Sequence, residues 1–195
     1  MKKLTSIELF TGAGGLALGL EASGWNHLGL VERDRHACST LRLNEAKQHS
    51  LAKNWKVIEG DVRSINYQEL VEGVEMVAGG PPCQPFSLGG KHKAYNDHRD
   101  MFPEAVRAVR ELRPMCFLFE NVKGLTRQAF ATYFEYIRLQ LHYPTCVRKR
   151  DENWEQHLSR LEKLYTGRTK QALRYKVVSR LLNAADYGVP QYRHR

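Results

Sequence analysis

Short apolar runs alternate with helical patterns along the first 120 residues of the chain. The apolar runs predict strands at 6–10, 28–32, 56–62, 75–80 and 115–122. Helical patterns fall between them, at 16–24 (closed by Gly24), 35–46 and 101–112. In the last of these, Phe102, Ala105, Val106 and Val109 share one face. Alternating strands and helices with apolar strands predict an α/β fold with a parallel sheet covered on both faces.

The pattern changes after Val147, where the segment at about 148–175 is dense in charge. Trp154, Leu158, Leu161 and Tyr165 recur at helical spacing within it and predict an exposed amphipathic helix inserted into the domain. A solvated face is the simpler interpretation of its charges, and a face toward DNA or a partner is the alternative. The domain pattern resumes afterwards, so we interpret 1–195 as one domain with this insert.

Composition narrows the class of protein. The chain has 195 residues, of which 42% are hydrophobic and 26% charged, as in ordinary globular proteins. Its formal net charge of +9 favours a polyanionic partner such as nucleic acid. The opening "MKKLTSIELF" has no long apolar region, and no stretch approaches a membrane span. These features predict an intracellular, cytoplasmic protein with no membrane partner.

The four cysteines are Cys38, Cys83, Cys116 and Cys146, and no two of them form a C-x-x-C pair. No metal site is therefore predicted. A lone cysteine is most often a small buried hydrophobe, and that is the prediction for Cys38, Cys116 and Cys146. Cys83 differs, because "GGPPCQPFS" surrounds it with three prolines after a predicted strand. Such a rigid backbone would orient a reactive sulfur.

A glycine-rich stretch, "FTGAGGLALG", follows the first predicted strand and opens the first helix. It contains G-x-G-x-x-A, formed by Gly12, Gly14 and Ala17. Glycines there allow a tight turn and a close approach of backbone N–H groups to a ligand. Glu32 lies 20 residues after Gly12 and could accept hydrogen bonds from ribose, while Asp61 could reach an adenine amino group. S-adenosylmethionine and a dinucleotide both fit this pattern.

Two other predicted strands run into chemically unusual segments. The fourth leads into Cys83, and the fifth leads into "ENV", which begins at Glu120. The carboxyl ends of parallel strands meet at one sheet edge, where ligands bind. A thiolate at Cys83 could act as a nucleophile. Partial desolvation after an apolar strand could keep Glu120 protonated near neutrality, so that it could donate to a ring nitrogen.

Together these motifs resemble the DNA (cytosine-5) methyltransferase family. "FTGAGG" resembles its cofactor loop, "GGPPCQPFS" its nucleophile loop, "ENV" its acidic motif and "QYRHR" its Q-x-R-x-R motif. The resemblance implies a Rossmann-like S-adenosylmethionine-dependent methyltransferase fold. It also implies methyl transfer to carbon 5 of a cytosine flipped out of duplex DNA. Cys83 would add to carbon 6, Glu120 would support N3 and the exocyclic amine, and Arg193 would support the flipped base.

The resemblance also implies roles for further residues. The cofactor would be held by Phe10, Gly12, Gly14, Leu16, Glu32, Asp61, Val62 and Pro82. The substrate would be contacted by Pro82, Gln84, Ser87, Asn121, Val122 and Arg195. The stretch "LGGKHKAYNDHRD" after Ser87 suits a mobile loop closing over DNA, with phosphate contacts from Lys91, Lys93 and Arg99.

The family continues beyond Q-x-R-x-R, with further strands, a target-recognition region and a late segment that completes the cofactor pocket. We therefore expect a fold incomplete at its C-terminal end, in a fragment or in one subunit of a split enzyme. A second polypeptide would then supply the target-recognition region and the late motifs. The alternatives are an RNA (tRNA) cytosine-5 methyltransferase of similar fold and a non-catalytic binding subunit. A nicotinamide oxidoreductase explains neither the Pro-Cys loop nor "ENV".

Overall fold

The computed structural model describes residues 4–70, 73–82, 100–167 and 172–195. The chain forms two compact units. The first unit comprises Met1–Pro81 and Arg107–Phe119, and the second comprises Pro82–Val106 and Glu120–Arg195. No helix in the described ranges is both long and apolar enough to cross a membrane.

The first unit is built on a sheet of five parallel strands in the order β3-β2-β1-β4-β5. The strands are β1 (Leu4–Leu9), β2 (Trp25–Glu32), β3 (Val57–Glu59), β4 (Met76–Gly79) and β5 (Cys116–Phe119). All five predicted strands are confirmed. Because β1 is central, its Ile7 and Leu9 are fully buried, as is Val77 of β4. Strand order places the end of β1 between the ends of β2 and β4.

Three helices of the first unit, α1 (Gly15–Ala22), α2 (Arg35–Ala46) and α3 (Tyr67–Leu70), connect these strands. A fourth helix, α4 (Phe102–Leu112), contributes its residues from Arg107 onward. Helix α2 begins where Asp34 accepts a hydrogen bond from the Ala37 N–H at 2.8 Å, as an N-cap aspartate does.

Two apolar clusters form on the face of the sheet toward α1. Ala17, Leu30, Leu41, Ala52 and Trp55 make the first cluster. Leu20, Met76 and Ala78 make the second, with Leu16 and Trp25 packed against them. Helix α1 thus contributes side chains to both clusters, and this packing fixes its first turn over the sheet.

Strand β5 corrects one prediction, because it is not covered on both faces. Leu118 is 44% exposed and the adjoining Met115 is 76% exposed. The prediction of a buried Cys116 was also wrong, since this thiol is exposed, whereas Cys38 is buried and Cys146 is half-buried. The physical reason is position: β5 is the edge strand, and β4 is its only partner in the described sheet.

The second unit contains two longer helices, α5 (Ala131–His142) and α6 (Trp154–Thr166). Helix α6 lies within the charged segment at 148–175 and begins with a capping box between Asn153 and Gln156. The predicted helix is present, and its apolar stripe is largely covered, because Leu158 and Leu161 are buried while Tyr165 is exposed. Trp154 lies against the rings of two tyrosines of α5, Tyr133 and Tyr136.

Candidate functional site

The glycine loop after β1 has an unusual backbone. Gly12 and Gly14 have φ angles of 58° and 90°, and Phe10 adopts a left-handed φ of 56°. A Cβ at Gly14 would lie 2.7 Å from Cδ2 of Leu41 and 2.9 Å from the Trp55 ring, so packing requires glycine there. A Cβ at Gly12 would meet nothing within 4 Å. The loop therefore leaves open space at Gly12, where a ligand can approach the backbone.

The carboxylate of Glu32 is fixed against this loop. It accepts hydrogen bonds from the Gly12 N–H at 2.8 Å and from the Arg33 and Asp34 N–H groups at 2.7 Å each. The structure thus brings Gly12 and Glu32 together, as their spacing predicts. A carboxylate held by backbone N–H groups has its orientation set before any ligand arrives, and the remaining lone pair on Oε2 suits a ribose hydroxyl.

Asp61 lies at the end of β3 and caps the 3-10 turn Val62–Ser64. Arg63 donates to it from Nε at 2.9 Å and from a terminal guanidinium nitrogen at 2.5 Å, and Arg33 donates at 3.4 Å. The hydrogen bonds from Arg63 hold the pKa of Asp61 well below its usual range. The sequence patterns did not predict a role for either arginine. An adenine amino group would therefore share this carboxylate with them.

A further arginine positions the segment that carries Asp61 and Val62. Arg107 of α4 donates to the Val62 carbonyl at 2.6 Å and to the Ile65 carbonyl at 3.1 Å. Its guanidinium also lies 4.8 Å from the centre of the Tyr67 ring, which is fully buried. No motif pointed to this residue, because its role depends on carbonyl groups that sequence does not reveal.

These residues of the first unit fit a nucleoside. Gly12 leaves open space beside the backbone, Glu32 offers an oriented carboxylate, and Val62 is 5% exposed beside Asp61. Two further predicted cofactor residues, Phe10 and Leu16, are half-buried near the same loop in sequence. Strand order places Asp61 at the end of β3, Glu32 at the end of β2 and the glycine loop at the end of β1.

In the second unit, Glu120 follows β5 directly and forms an ion pair. Nε of Arg195 lies 2.5 Å from Oε1 of Glu120, and the glutamate side chain is 42% exposed. The Glu120 carboxyl is therefore partly exposed rather than enclosed among apolar side chains. Arg195 holds the carboxylate instead, although the family resemblance predicts that Arg195 contacts the substrate.

The "QYRHR" segment is held by an antiparallel backbone pairing. Leu182 and Arg195 exchange N–H···O hydrogen bonds of 2.8 Å each, and the Ala184 N–H donates to the Arg193 carbonyl at 2.9 Å. This pairing presents the Arg195 side chain to Glu120. Arg193 is exposed, and its backbone N–H donates to the Asn183 side chain at 3.1 Å. The structure thus brings Arg195, rather than Arg193, to the predicted acid.

Of the other predicted substrate residues, Asn121 and Val122 follow Glu120, and Pro82 is the last residue of the described range 73–82. The Asn121 side chain accepts from the Val122 N–H at 2.9 Å, and Val122 is 39% exposed. The Pro82 carbonyl accepts from the Met101 N–H at 3.3 Å. Predicted residues outside the described ranges are Cys83, Gln84, Ser87, Lys91, Lys93 and Arg99.

Comparison with known proteins agrees with these features. Residues 4–143 match the C-5 cytosine-specific DNA methylase family. Type II methyltransferase M.NgoMIV of Neisseria gonorrhoeae is 40% identical over 99% of the chain, and M.AquIA of Picosynechococcus sp. is 38% identical over 100%. The crystal structure of the Dnmt2 methyltransferase of S. pombe aligns with 98% of the chain, at a TM-score of 0.56 and 17% identity. The aligned region is 49% of the Dnmt2 chain.

The fold is therefore the Rossmann-like fold of S-adenosylmethionine-dependent methyltransferases. The chain belongs to the C-5 cytosine-specific DNA methylase family. It spans 50% of the length of the Neisseria relative and 69% of the length of the Picosynechococcus relative.

Proposed function

We propose that this chain is the catalytic part of a DNA (cytosine-5) methyltransferase. It transfers a methyl group from S-adenosylmethionine to carbon 5 of cytosine in duplex DNA. The observation that carries the proposal is the family match over 4–143, which includes the glycine loop, Cys83 and Glu120. Complete motifs at the loop, "PPCQ" and "ENV" support catalysis over a purely structural role.

S-adenosylmethionine fits the first unit, where Gly12 leaves room for it and Glu32 accepts from its ribose. Asp61 and Val62 face its adenine, and Phe10 and Leu16 add apolar contact. When bound, the cofactor supplies an electrophilic methyl group. The protein's part is to orient it: Glu32 is preset by three backbone N–H groups, and Arg107 fixes the segment that carries Val62.

The reaction on the base begins when the Cys83 thiolate adds to carbon 6 of a flipped cytosine. Glu120 supports N3 and the exocyclic amine, which makes carbon 5 nucleophilic. After methylation a base removes the carbon 5 proton, the bond from Cys83 to carbon 6 breaks, and the thiolate leaves. In this scheme Arg195, whose Nε lies 2.5 Å from Glu120, holds the carboxyl group in one orientation before the cytosine enters.

Duplex DNA as substrate is supported by the charge of the chain, which is +9 overall. Exposed cations precede α6 at Arg148, Lys149 and Arg150, and Arg193 is exposed two residues before Arg195, the ion-pair partner of Glu120. Each suits contact with phosphate, which gives affinity without reading sequence.

A second polypeptide, or a longer form of this chain, completes the enzyme in our proposal. It supplies the target-recognition region and the late motifs. Apolar exposure in each unit supports it: Met115 and Leu118 at the edge of the first unit, and the segment 178–192 in the second. The exposed apolar side chains of that segment are Val178, Leu181, Leu182, Tyr187, Val189 and Tyr192. Exposed apolar groups in such density mark interaction surfaces.

The test traps the nucleophile on DNA. The chain is mixed with duplex DNA containing 5-fluorocytosine and S-adenosylmethionine, with and without the C-terminal half of the Neisseria relative supplied as a separate polypeptide. Because a fluorine at carbon 5 cannot leave as a proton does, Cys83 stays bonded to carbon 6. We expect a covalent protein–DNA adduct in the completed mixture, located at Cys83 by mass spectrometry.

Two controls give the experiment its meaning. Cys83→Ser should form no adduct and transfer no labelled methyl group, whereas Cys38→Ser should behave like the wild type. Transfer RNA in place of duplex DNA tests the RNA alternative, and labelling of RNA alone would overturn the proposed substrate. An adduct that persists in Cys83→Ser would overturn the proposed mechanism.

A further inference from the structure

A carboxylate of the second unit ties two of its helices together. Asp100 lies just before α4 and uses both of its oxygens. Oδ1 accepts a hydrogen bond from the Phe102 N–H at 3.1 Å, and Oδ2 accepts one from the hydroxyl of Tyr133 on α5. The first bond satisfies a backbone donor in the first turn of α4. Asp100 therefore joins the start of α4 to α5.

The ring that carries this hydroxyl is held in place by aromatic neighbours. Tyr133 is buried, and the centre of its ring lies 6.1 Å from that of Tyr136 and 6.2 Å from that of Trp154. Trp154 is the first residue of α6, within the charged insert, and its ring also lies 5.7 Å from that of Tyr136. Mutual contacts among three rings restrict each of them. The insert thus helps to fix the hydroxyl that reaches Asp100.

A backbone hydrogen bond beside Asp100 joins two distant parts of the chain. The N–H of Met101 donates to the Pro82 carbonyl at 3.3 Å. Met101 lies between Asp100 and Phe102, the two residues that the capping bond connects. The Pro82 carbonyl belongs to the peptide unit that joins Pro82 to Cys83, and a peptide unit is rigid and planar. A contact that fixes Met101 therefore also fixes the peptide unit leading into Cys83.

We propose that Tyr133 is a positioning residue for the nucleophile. By holding Asp100, its hydroxyl keeps the Met101 N–H directed at the Pro82 carbonyl, and this bond sets the direction in which the chain enters Cys83. The inference rests on the proposed function, in which Cys83 attacks carbon 6 of cytosine. Such an attack gains from a fixed backbone, because a displacement of about 1 Å can slow a reaction by about 100-fold.

Tyr143 provides a matched control within the same unit. It is buried at the end of α5, and its hydroxyl donates to the Leu164 carbonyl of α6 at 3.2 Å. Tyr143→Phe and Tyr133→Phe therefore remove the same chemical group from similar surroundings. A contact that only stabilises the fold predicts similar effects of the two substitutions on every measurement. Urea unfolding measures the stability that each variant loses.

The first test needs neither cofactor nor DNA. Hydrogen–deuterium exchange of the Met101 and Phe102 amides is followed in the full chain. We expect Tyr133→Phe to speed this exchange by about 10-fold or more, the fold-change for loss of a hydrogen bond to a charged group. Tyr143→Phe should leave it unchanged. Wild-type exchange in Tyr133→Phe would overturn the anchoring role, whatever reaction the enzyme performs.

The second test measures how fast Cys83 forms its adduct with duplex DNA containing 5-fluorocytosine. The chain is completed with the C-terminal half of the Neisseria relative and saturated with S-adenosylmethionine. We expect Tyr133→Phe to slow adduct formation by about 10- to 100-fold while the Kd for unmodified duplex stays unchanged. Combining Tyr133→Phe with Asp100→Ala should be no slower than Asp100→Ala alone, because both substitutions break one contact.

The outcomes separate this inference from the proposed function. If the wild type forms no adduct, the proposed function is contradicted and the role of Tyr133 fails with it. If the wild type forms the adduct and Tyr133→Phe forms it as fast as Tyr143→Phe does, only the role of Tyr133 is overturned. Additive effects of Tyr133→Phe and Asp100→Ala would also overturn that role, since the two residues would then act independently.

Discussion

Strands β1 and β5 are both apolar and parallel, and each leads directly into a functional segment, yet their surroundings are opposite. Strand β1 is central and buries even the acid Glu8 to 1% exposure. Strand β5 is at the edge and leaves the hydrophobe Leu118 44% exposed. From residue type alone, one would expect Glu8 to be exposed and Leu118 to be buried.

The comparison teaches that position in the sheet, more than side-chain chemistry, decides burial here. A central strand has neighbours on both sides, and helix α1 covers its face. An edge strand lacks one of these neighbours, so its apolar side chains stay accessible until another element covers them. The exposure of β5 then has a functional interpretation, since a completing polypeptide can cover this edge.

The largest effect is expected just beyond β5. Glu120→Gln in the completed enzyme removes the acid that supports N3, so methyl transfer should fall by about 10²- to 10⁴-fold, the usual contribution of general acid catalysis. Single-turnover transfer of labelled methyl groups to duplex DNA measures this. Glu155→Gln, an exposed change on α6, should leave the rate unchanged. Wild-type rates in Glu120→Gln would remove this residue from the chemistry.

A smaller effect concerns β1 and the pH dependence of folding. The pKa of Glu8 is raised from 4.5 to about 8 by burial. Between these values the folded protein holds a proton that the unfolded chain releases. Stability from this group is therefore full below pH 4.5 and falls as pH rises toward 8, by up to about 1.4 kcal/mol per pH unit.

Urea unfolding at a series of pH values from 5 to 9 measures that dependence. The Glu8→Gln variant should lack the decline, because an amide does not titrate in this range, whereas Glu69→Gln, at an exposed position of α3, should retain it. Identical pH profiles for wild type and Glu8→Gln would show that Glu8 is ionised in the folded protein.

The smallest effect on the chain itself is expected at β5. Leu118→Lys alters an exposed side chain and should change the free energy of unfolding by no more than about 0.5 kcal/mol. The same variant should weaken association with the completing polypeptide, because a charge would be buried at the covered edge. Leu43→Lys, at a side chain 53% exposed on α2, is the control and should leave association intact. Equal association of both variants would exclude β5 as part of the interface.

Apolar runs predicted the strands, and the glycines with the acid 20 residues later predicted the loop after β1. Both are local signals that a single sequence contains. The helix over 35–46 is confirmed, and the structure joins Gly12 and Glu32, both predicted cofactor residues, by a hydrogen bond. Helix α5 was missed, since its buried faces nearly encircle it and leave little amphipathic period. The exposure of Cys116 was also missed, because composition does not reveal which strand lies at the edge.

The partners of the charged site residues were harder still. Arg63 on Asp61, Arg195 on Glu120 and Arg107 on the Val62 carbonyl are all contacts made by long, flexible side chains. Such contacts depend on tertiary placement within a unit, for which a single sequence carries no signal. Glu8 did give a signal, since an acid inside an apolar strand is unusual, but the strand prediction assigned no role to this residue.

The three backbone hydrogen bonds to Glu32 have a consequence for how this protein can evolve. One carboxylate serves as the predicted ribose acceptor and also as the brace of the glycine loop. A substitution at position 32 would therefore alter ligand preference and loop shape together, so that the two traits cannot drift apart.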